Sequence, residues 1–138
     1  MALTLAVITP EQTAFEGVVE SVTVPSLEGT VTVLPNHEPL ITLLASGEMS
    51  VIQEGKRSHM AVHGGVAKVS NNTMQILTDA AELEEDVDER RAAQALEQAK
   101  KTREESTDRV VQADASAAIE RAIARLQLAK RRKFRHQA

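Results

Sequence analysis

The segment Glu84 to Ala92, EEDVDERRA, lies where the hydrophobic period of the chain changes, and its reading decides the fold. Upstream of it, apolar residues recur at every second position: Leu3, Leu5 and Val7; Val22 and Val24; Val31 and Val33; Met49 and Val51; Met60 and Val62; Met74 and Ile76. Side chains of a strand alternate between two faces, so this period predicts half-buried strands. Turn chemistry separates them at Glu28-Gly29, Glu54-Gly55, Gly64-Gly65 and Asn71-Asn72. That spacing, about eight to twelve residues, predicts an antiparallel sandwich or barrel of roughly eight to ten short strands. Pro10, Pro25, Pro35 and Pro39 fall at segment ends, where no ladder hydrogen bond is demanded of them.

Downstream the signal is helical. No Gly or Pro occurs from Val87 to Lys133, and Ala, Gln, Glu, Lys and Arg dominate. Asp86 and Glu89 have capping-box spacing, with Asp in place of Ser or Thr, and acids in the first turn suit the positive end of the helix dipole. A first helix is therefore expected to start near Asp86 to Asp88. The segment Glu105-Ser106-Thr107-Asp108 interrupts the pattern and caps a second helix, expected from Asp108 to Lys133. The fold class is α+β: an N-terminal antiparallel β-sandwich, residues 1–84, followed by a C-terminal antiparallel two-helix hairpin, residues 85–138.

The expected inner face of the hairpin is alanine-rich: Ala92, Ala95, Leu96 and Ala99, facing Ala115, Ala118, Ile119, Ala122, Ile123, Leu126 and Ala129. Alanine removes little apolar area from water, at roughly 25 cal/mol per Å², so such a hairpin docks marginally. A ligand at a hundred times its dissociation constant adds about 2.7 kcal/mol, enough to decide whether a marginal element stays docked. The C-terminal half thus reads either as a switch or as a fixed helical hairpin.

Composition narrows the function. The 138 residues, 42% hydrophobic, suit one compact core with an appendage. Neither an apolar run of membrane-spanning length nor a charged-then-apolar leader is expected, which suggests a cytosolic or membrane-peripheral protein. With no cysteine there is no disulfide or thiolate chemistry. Phe15 and Phe134 are the only aromatics, so base stacking has almost nothing to work with, which counts against single-stranded nucleic-acid binding. The net charge of −4 hides a gradient: residues 1–84 carry ten acids and three bases, and residues 85–138 ten acids and thirteen bases. The two halves are expected to seek different partners.

Catalytic constellations are absent from the pattern. His59 and His63 are four apart, which on a strand is about 13 Å, too far to share a metal, and they read as surface histidines. Gly55-Lys56 lacks phosphate-loop spacing and reads as a hairpin turn. His37, in a Pro-bounded loop, reads as structural or partner-contacting.

The run GTVTVLPNHEPLITLLASGEMSV from Gly29 to Val51 carries the specific signal. It is preceded by ITPEQTAFEG and VTVPSLEG and followed by HGGVAKVSNNTMQILTDAAELEEDVD. Together these resemble the epsilon subunit of bacterial F-type ATP synthases over essentially the whole chain, LPNHEPL (Leu34–Leu40) being the most specific piece. The family's usual Gly-Ile or Gly-Val ahead of Leu-Pro is Thr32-Val33 here.

The resemblance implies a β-sandwich at the foot of the central stalk, bound to the gamma subunit and resting on the c ring through the Glu28-Gly29-Thr30 loop. It implies a peripheral location on the cytoplasmic side of a cell inner membrane, with no membrane insertion. The subunit performs no chemistry. Its helices either fold on the sandwich or extend along gamma into the head of alpha and beta subunits, where they block ATP hydrolysis.

In family members that bind ATP the pattern is aliphatic-Asp-x-x-Arg-Ala, which Val87-Asp88-Glu89-Arg90-Arg91-Ala92 fits. The resemblance adds Glu82 and, on the second helix, Arg121 and Arg125, which lie four apart and point from one face. It implies carboxylates meeting the adenine amino group and arginines holding phosphate; whether Mg²⁺ accompanies the ligand is not specified. A further arginine of tight binders is Gln98 here, which lowers the expected affinity. The alternative is that Asp86 and Asp88 only cap a helix.

The stretch Arg121 to Ala138 holds Arg121, Arg125, Lys130, Arg131, Arg132, Lys133 and Arg135 and no acid. By resemblance its partner is the acidic C-terminal lobe of beta; a solvated helix end, anionic lipid and nucleic acid are the generic readings. The rival to the whole reading is a free-standing nucleotide-sensing or nucleic-acid-binding β-sandwich with a basic helical arm.

Overall fold

The computed structural model describes residues 2–84 and 87–137, with side chains as far as Arg131. The strands are β1 (Leu3–Ile8), β2 (Thr13–Val19), β3 (Ser21–Ser26), β4 (Gly29–Val33), β5 (Leu40–Gln53), β6 (Lys56–Ser70), β7 (Thr73–Leu77) and β8 (Ala81–Leu83). The helices α1 (Glu89–Glu105) and α2 (Arg109–Gln137) follow. Hydrogen bonding links the strands in the order β2-β1-β7-β6-β5-β3-β4, with β8 on β6.

Two strands are much longer than the alternation implied. β5 and β6 have 14 and 15 residues and pair with each other from Leu40 opposite Val69 to Gln53 opposite Lys56, with a break at Ala45 and Gly64. On one side of this break the ribbon joins β7, β1 and β2; on the other it pairs mainly with β3 and with β8. One ribbon therefore serves both layers of the sandwich.

Gly64-Gly65 does not form the expected turn, because it lies inside β6. The glycine signal was right about the backbone, with φ of 75° and 114°, but the result is a bend rather than a reversal. A Cβ on Gly65 would sit 1.9 Å from the Leu77 carbonyl oxygen, so only glycine lets β7 approach there. Two of the other turns follow expectation: Glu54-Gly55 and Asn71-Asn72 have positive φ at both central residues, the signature of a type I′ turn. The turn expected at Glu28-Gly29 falls one residue earlier, at Leu27 and Glu28, with Gly29 opening β4.

The sandwich is not antiparallel throughout, since β1 and β7 pair in parallel. Sequence-distant strands meet there without a hairpin to reverse direction. Pro25 sits inside β3 beside a register irregularity with β5, a place where its missing N–H costs no ladder bond.

The alternating residues form the core. Leu3, Leu5, Val7, Val22, Val24, Val33, Met49, Val51, Met60, Val62, Met74 and Ile76 are buried in one cluster, with Val31 at its margin. Asp88 is the N-cap of α1, its carboxylate accepting the Arg91 N–H at 3.2 Å. The expected Asp86–Glu89 capping box involves Asp86, which lies outside the described residues. Asp108 caps α2 by accepting from Val110 and Val111 N–H at 2.8 and 3.4 Å, and α2 continues past Lys133 to Gln137.

The hairpin's buried face differs from the expected one. Ala95 and Ile123 are exposed, whereas Ala124 and Leu128 are buried. The reason is that α2 has two neighbours. Ala115 and Ala118 share a groove with Ala99 and Thr102 of α1, while Ala124, Leu128 and Ala129 pack with Ala61 and Val87 against the sandwich.

Candidate functional site

On β6 the residues Met60 and Val62 face the core, so His59, Ala61 and His63 share the outer face. Strand register sets Glu48 of β5 on one side of Ala61 and Glu82 of β8 on the other. With strands ~4.8 Å apart, the two acidic positions are about 10 Å apart. On α2, Arg125 and Arg131 lie three residues to either side of Leu128, so each neighbours it on the helix surface and the two flank it. At 1.5 Å rise per residue, the two arginines are about 9 Å apart along the axis.

The two spacings match, and α2 lies across the strands. Arg125 Nε donates to Glu82 Oε1 at 2.5 Å. Leu128, fully buried, meets Ala61 in the apolar cluster. Arg131 donates to both oxygens of Glu48, at 2.6 and 3.0 Å. Two bases of the acid-free stretch thus find carboxylates on this chain's own sandwich; the side chains of Arg132, Lys133 and Arg135 lie outside the described residues.

Glu82 is the hub. Its Oε1 also accepts from His63 Nε2 at 2.9 Å. The His63 hydrogen bond, helped by the bond and charge of Arg125, holds the Glu82 carboxyl below its ordinary value, and partial burial opposes this. His63 is 3% exposed, so the expectation of a surface histidine is overturned: the outer face of β6 is solvent-facing only until α2 covers it. His59 is also largely covered and lies 3.6 Å from Glu48.

Beside this hub is a cleft of about 380 Å³ between the end of the sandwich and both helices. It is lined by Glu82, Asp88, Arg91, Ala92, Ala95 and Arg125. Of the residues expected to bind a ligand, Glu82, Asp88, Arg91, Ala92 and Arg125 are therefore brought together. Val87 is instead buried in the apolar cluster that seats α2. Arg121 is half-buried one turn before Arg125 and is not part of the lining. Gln98 lines the groove between the helices and is not part of the cleft lining.

The cleft has the means to bind an anion that carries a hydrogen-bond donor. Arg91 is exposed at its rim, with no ion-pair partner among the described residues. Capping uses one Asp88 oxygen and leaves the other available. No cluster of three potential metal ligands occurs among the described residues.

Sequence reasoning missed His63, Glu48 and the specific part played by Arg131. The pairing register alone would have put Glu48 and Glu82 beside Ala61, but no sequence signal showed that β8 joins β6.

Comparison with known proteins agrees with this architecture. Residues 2–84 match the family described as ATP synthase, Delta/Epsilon chain, beta-sandwich domain. The ATP synthase epsilon chain of Herpetosiphon aurantiacus is 40% identical, covering 98% of this chain and 99% of that one. The epsilon chain of Gloeobacter violaceus is also 40% identical, over 94% and 98%. A chain from the cryo-EM structure of the Euglena gracilis mitochondrial ATP synthase OSCP/F1/c-ring assembly superposes with a TM-score of 0.80 at 28% identity, covering 89% of this chain and 78% of that one. A full-length match of this kind joins sandwich and hairpin in one subunit: the chain belongs to the ATP synthase epsilon-chain family, non-catalytic subunits of the central stalk of F-type ATP synthases.

Proposed function

We propose that this subunit couples gamma to the c ring and regulates ATP hydrolysis through its helical hairpin. In the docked arrangement ATP occupies the cleft; without it the hairpin extends along gamma into the alpha and beta head and inhibits. The subunit is peripheral, on the cytoplasmic side of a cell inner membrane. No helix among the described residues is long and apolar enough to cross a membrane, which accords with this.

The observation that carries the regulatory reading is the origin of the cleft lining. Glu82 belongs to the sandwich, Asp88, Arg91 and Ala92 to the start of α1, and Arg125 to α2. A ligand touching all three binds only the docked form, and so stabilises it by mass action, about 2.7 kcal/mol at a hundred times its dissociation constant. Asp88 and Glu82 offer acceptors to the adenine amino group, and Arg91 and Arg125 offer charge to the phosphates.

Support for a gamma-facing surface comes from the layer of the sandwich away from the helices. Leu43, Val66, Leu77 and Ile8 fall in one cross-strand row over β5, β6, β7 and β1. Leu43 and Leu77 are exposed by 57% and 49%, and Ile41 next to them by 70%. A contiguous apolar row of this kind suits a protein partner. The full-length likeness to epsilon chains favours this reading over a free-standing nucleotide sensor or nucleic-acid binder.

Calorimetric titration of the intact chain with ATP, with and without Mg²⁺, tests the ligand. Binding that is lost in Arg91→Ala is expected; no heat from the unmodified chain overturns the ATP reading. For the brake, hydrolysis by the assembled enzyme is expected to rise when residues 87–138 are deleted, and unchanged hydrolysis removes it.

A further inference from the structure

His63 occupies the sheet for the sake of one side-chain bond. His63 is 3% exposed, its Nε2 meets Glu82 Oε1 at 2.9 Å, and its Nδ1 is buried with no partner among the described residues. A buried polar atom left unpaired is destabilising, and an apolar side chain of similar shape would avoid it. The packing at this point therefore does not call for a histidine. With the proton on Nε2, the ring donates to the carboxylate and Nδ1 is a bare lone pair.

Both donors that reach Glu82 arrive on the same oxygen. His63 approaches Oε1 from β6 and Arg125 approaches it from α2, while Oε2 receives no hydrogen bond among the described residues. A donor on the sheet keeps Oε1 anchored when the helix moves, and it leaves the second oxygen of this cleft-lining carboxylate available as an acceptor. We infer that His63 is a positioning residue: it fixes the Glu82 carboxylate so that Oε1 receives Arg125 and Oε2 remains an acceptor for an N–H group of the ligand. The ligand half of this inference rests on the nucleotide reading above; the orientation of Glu82 does not.

Among the described residues, the charged and titratable groups that bond to Glu82 or line the cleft with it are His63 from β6, Arg125 from α2, and Asp88 and Arg91 at the start of α1. The full-length chain is titrated by carboxyl ¹³C NMR as wild type, His63→Leu and His63→Gln, and each is then titrated with ATP. The Glu82 midpoint is expected to rise in His63→Leu and to stay low in His63→Gln, which retains an N–H donor. ATP affinity is expected to fall about tenfold in His63→Leu, as for loss of a charge-assisted hydrogen bond, and to recover in His63→Gln. A merely structural histidine predicts no such rescue.

An unchanged Glu82 midpoint in His63→Leu overturns the inference whether or not ATP binds. A raised midpoint with unchanged ATP affinity overturns its ligand half. Should wild type give no heat with ATP, the nucleotide reading fails and takes the ligand half with it, and the midpoints alone decide the positioning. If His63→Leu does not fold, the ¹⁵N resonances of the His63 ring in the unmodified chain serve instead: they are expected to show an inflection at the Glu82 midpoint, and its absence overturns the inference.

Discussion

Glu82 draws three elements together through one carboxylate: β8 carries it, β6 supplies His63 and α2 supplies Arg125. Its folded-state pKa lies below the ordinary 4.5, first because of the His63 hydrogen bond and then because of Arg125. A depressed carboxyl contributes stability that is complete above the unfolded value and disappears as pH falls through the folded one. Docking of the hairpin is therefore expected to be insensitive to this group near neutrality and to weaken below pH 4.5. Amide exchange along α2 measured against pH checks this. In Glu82→Gln the helix should exchange faster at pH 7 and respond less to acid; an acid response as steep as in wild type would assign the effect to another group. At this scale Glu82, Asp88, Arg91 and Arg125 were named through the family resemblance, and the structure brings the four to one cleft; arginine spacing alone would have paired Arg125 with Arg121, which stays outside the lining. His63 was not legible, since alternation says which face a strand residue takes but not what will later cover that face.

The second helix is read by two neighbours at once, which explains where its pattern misled. The expected single inner face took in Ile123, Leu126 and Ala129, yet the sheet claims Ala124 and Leu128 together with Ala129, and Ile123 is left 40% exposed. The sheet contact combines one large side chain with two arginine clasps, and their energetic weights differ. Leu128→Ala leaves a cavity opposite Ala61 and is expected to cost about 2–4 kcal/mol of docking. Arg131→Ala is expected to cost under about 1 kcal/mol, because Arg131 is about half-exposed and screened by salt. Exchange rates along α2 for the two variants at low and high salt separate these weights. The Leu128 effect should be salt-independent and the Arg131 effect should shrink with salt; the opposite order would make the docking chiefly electrostatic. Specificity of register still falls to the arginines, because only one placement of α2 sets Arg125 and Arg131 over Glu82 and Glu48 together.

The molecule as a whole has two cores of unequal quality. Every member of the larger cluster, from Leu3 to Ile76, belongs to the sandwich, and its size comes from Leu, Val, Ile and Met. The smaller cluster joins Ala61 to Val87, Ala124, Leu128 and Ala129, three of them alanine and only one side chain as large as leucine. Alternation made the first core legible almost residue by residue. The bend at Gly64 and the parallel pairing of β1 with β7 were hidden, because a glycine pair signals backbone conformation without saying whether the chain reverses, and pairing of distant strands leaves no local mark. Apolar area near 25 cal/mol per Å² scales with side-chain size, so nearly all burial energy lies in the sandwich. Residues 1–84 alone are therefore expected to fold, giving a strand-type circular dichroism spectrum and a cooperative thermal transition. In the intact chain the helical signal should melt first and the strand signal later, close to the transition of the fragment. Coincident melting in the intact chain, together with a fragment that shows no transition, would mean that the helices are part of the sandwich's stability. A hairpin of that kind could not leave its seat without unfolding the body beneath it, and the extension required of a brake would be excluded on energetic grounds.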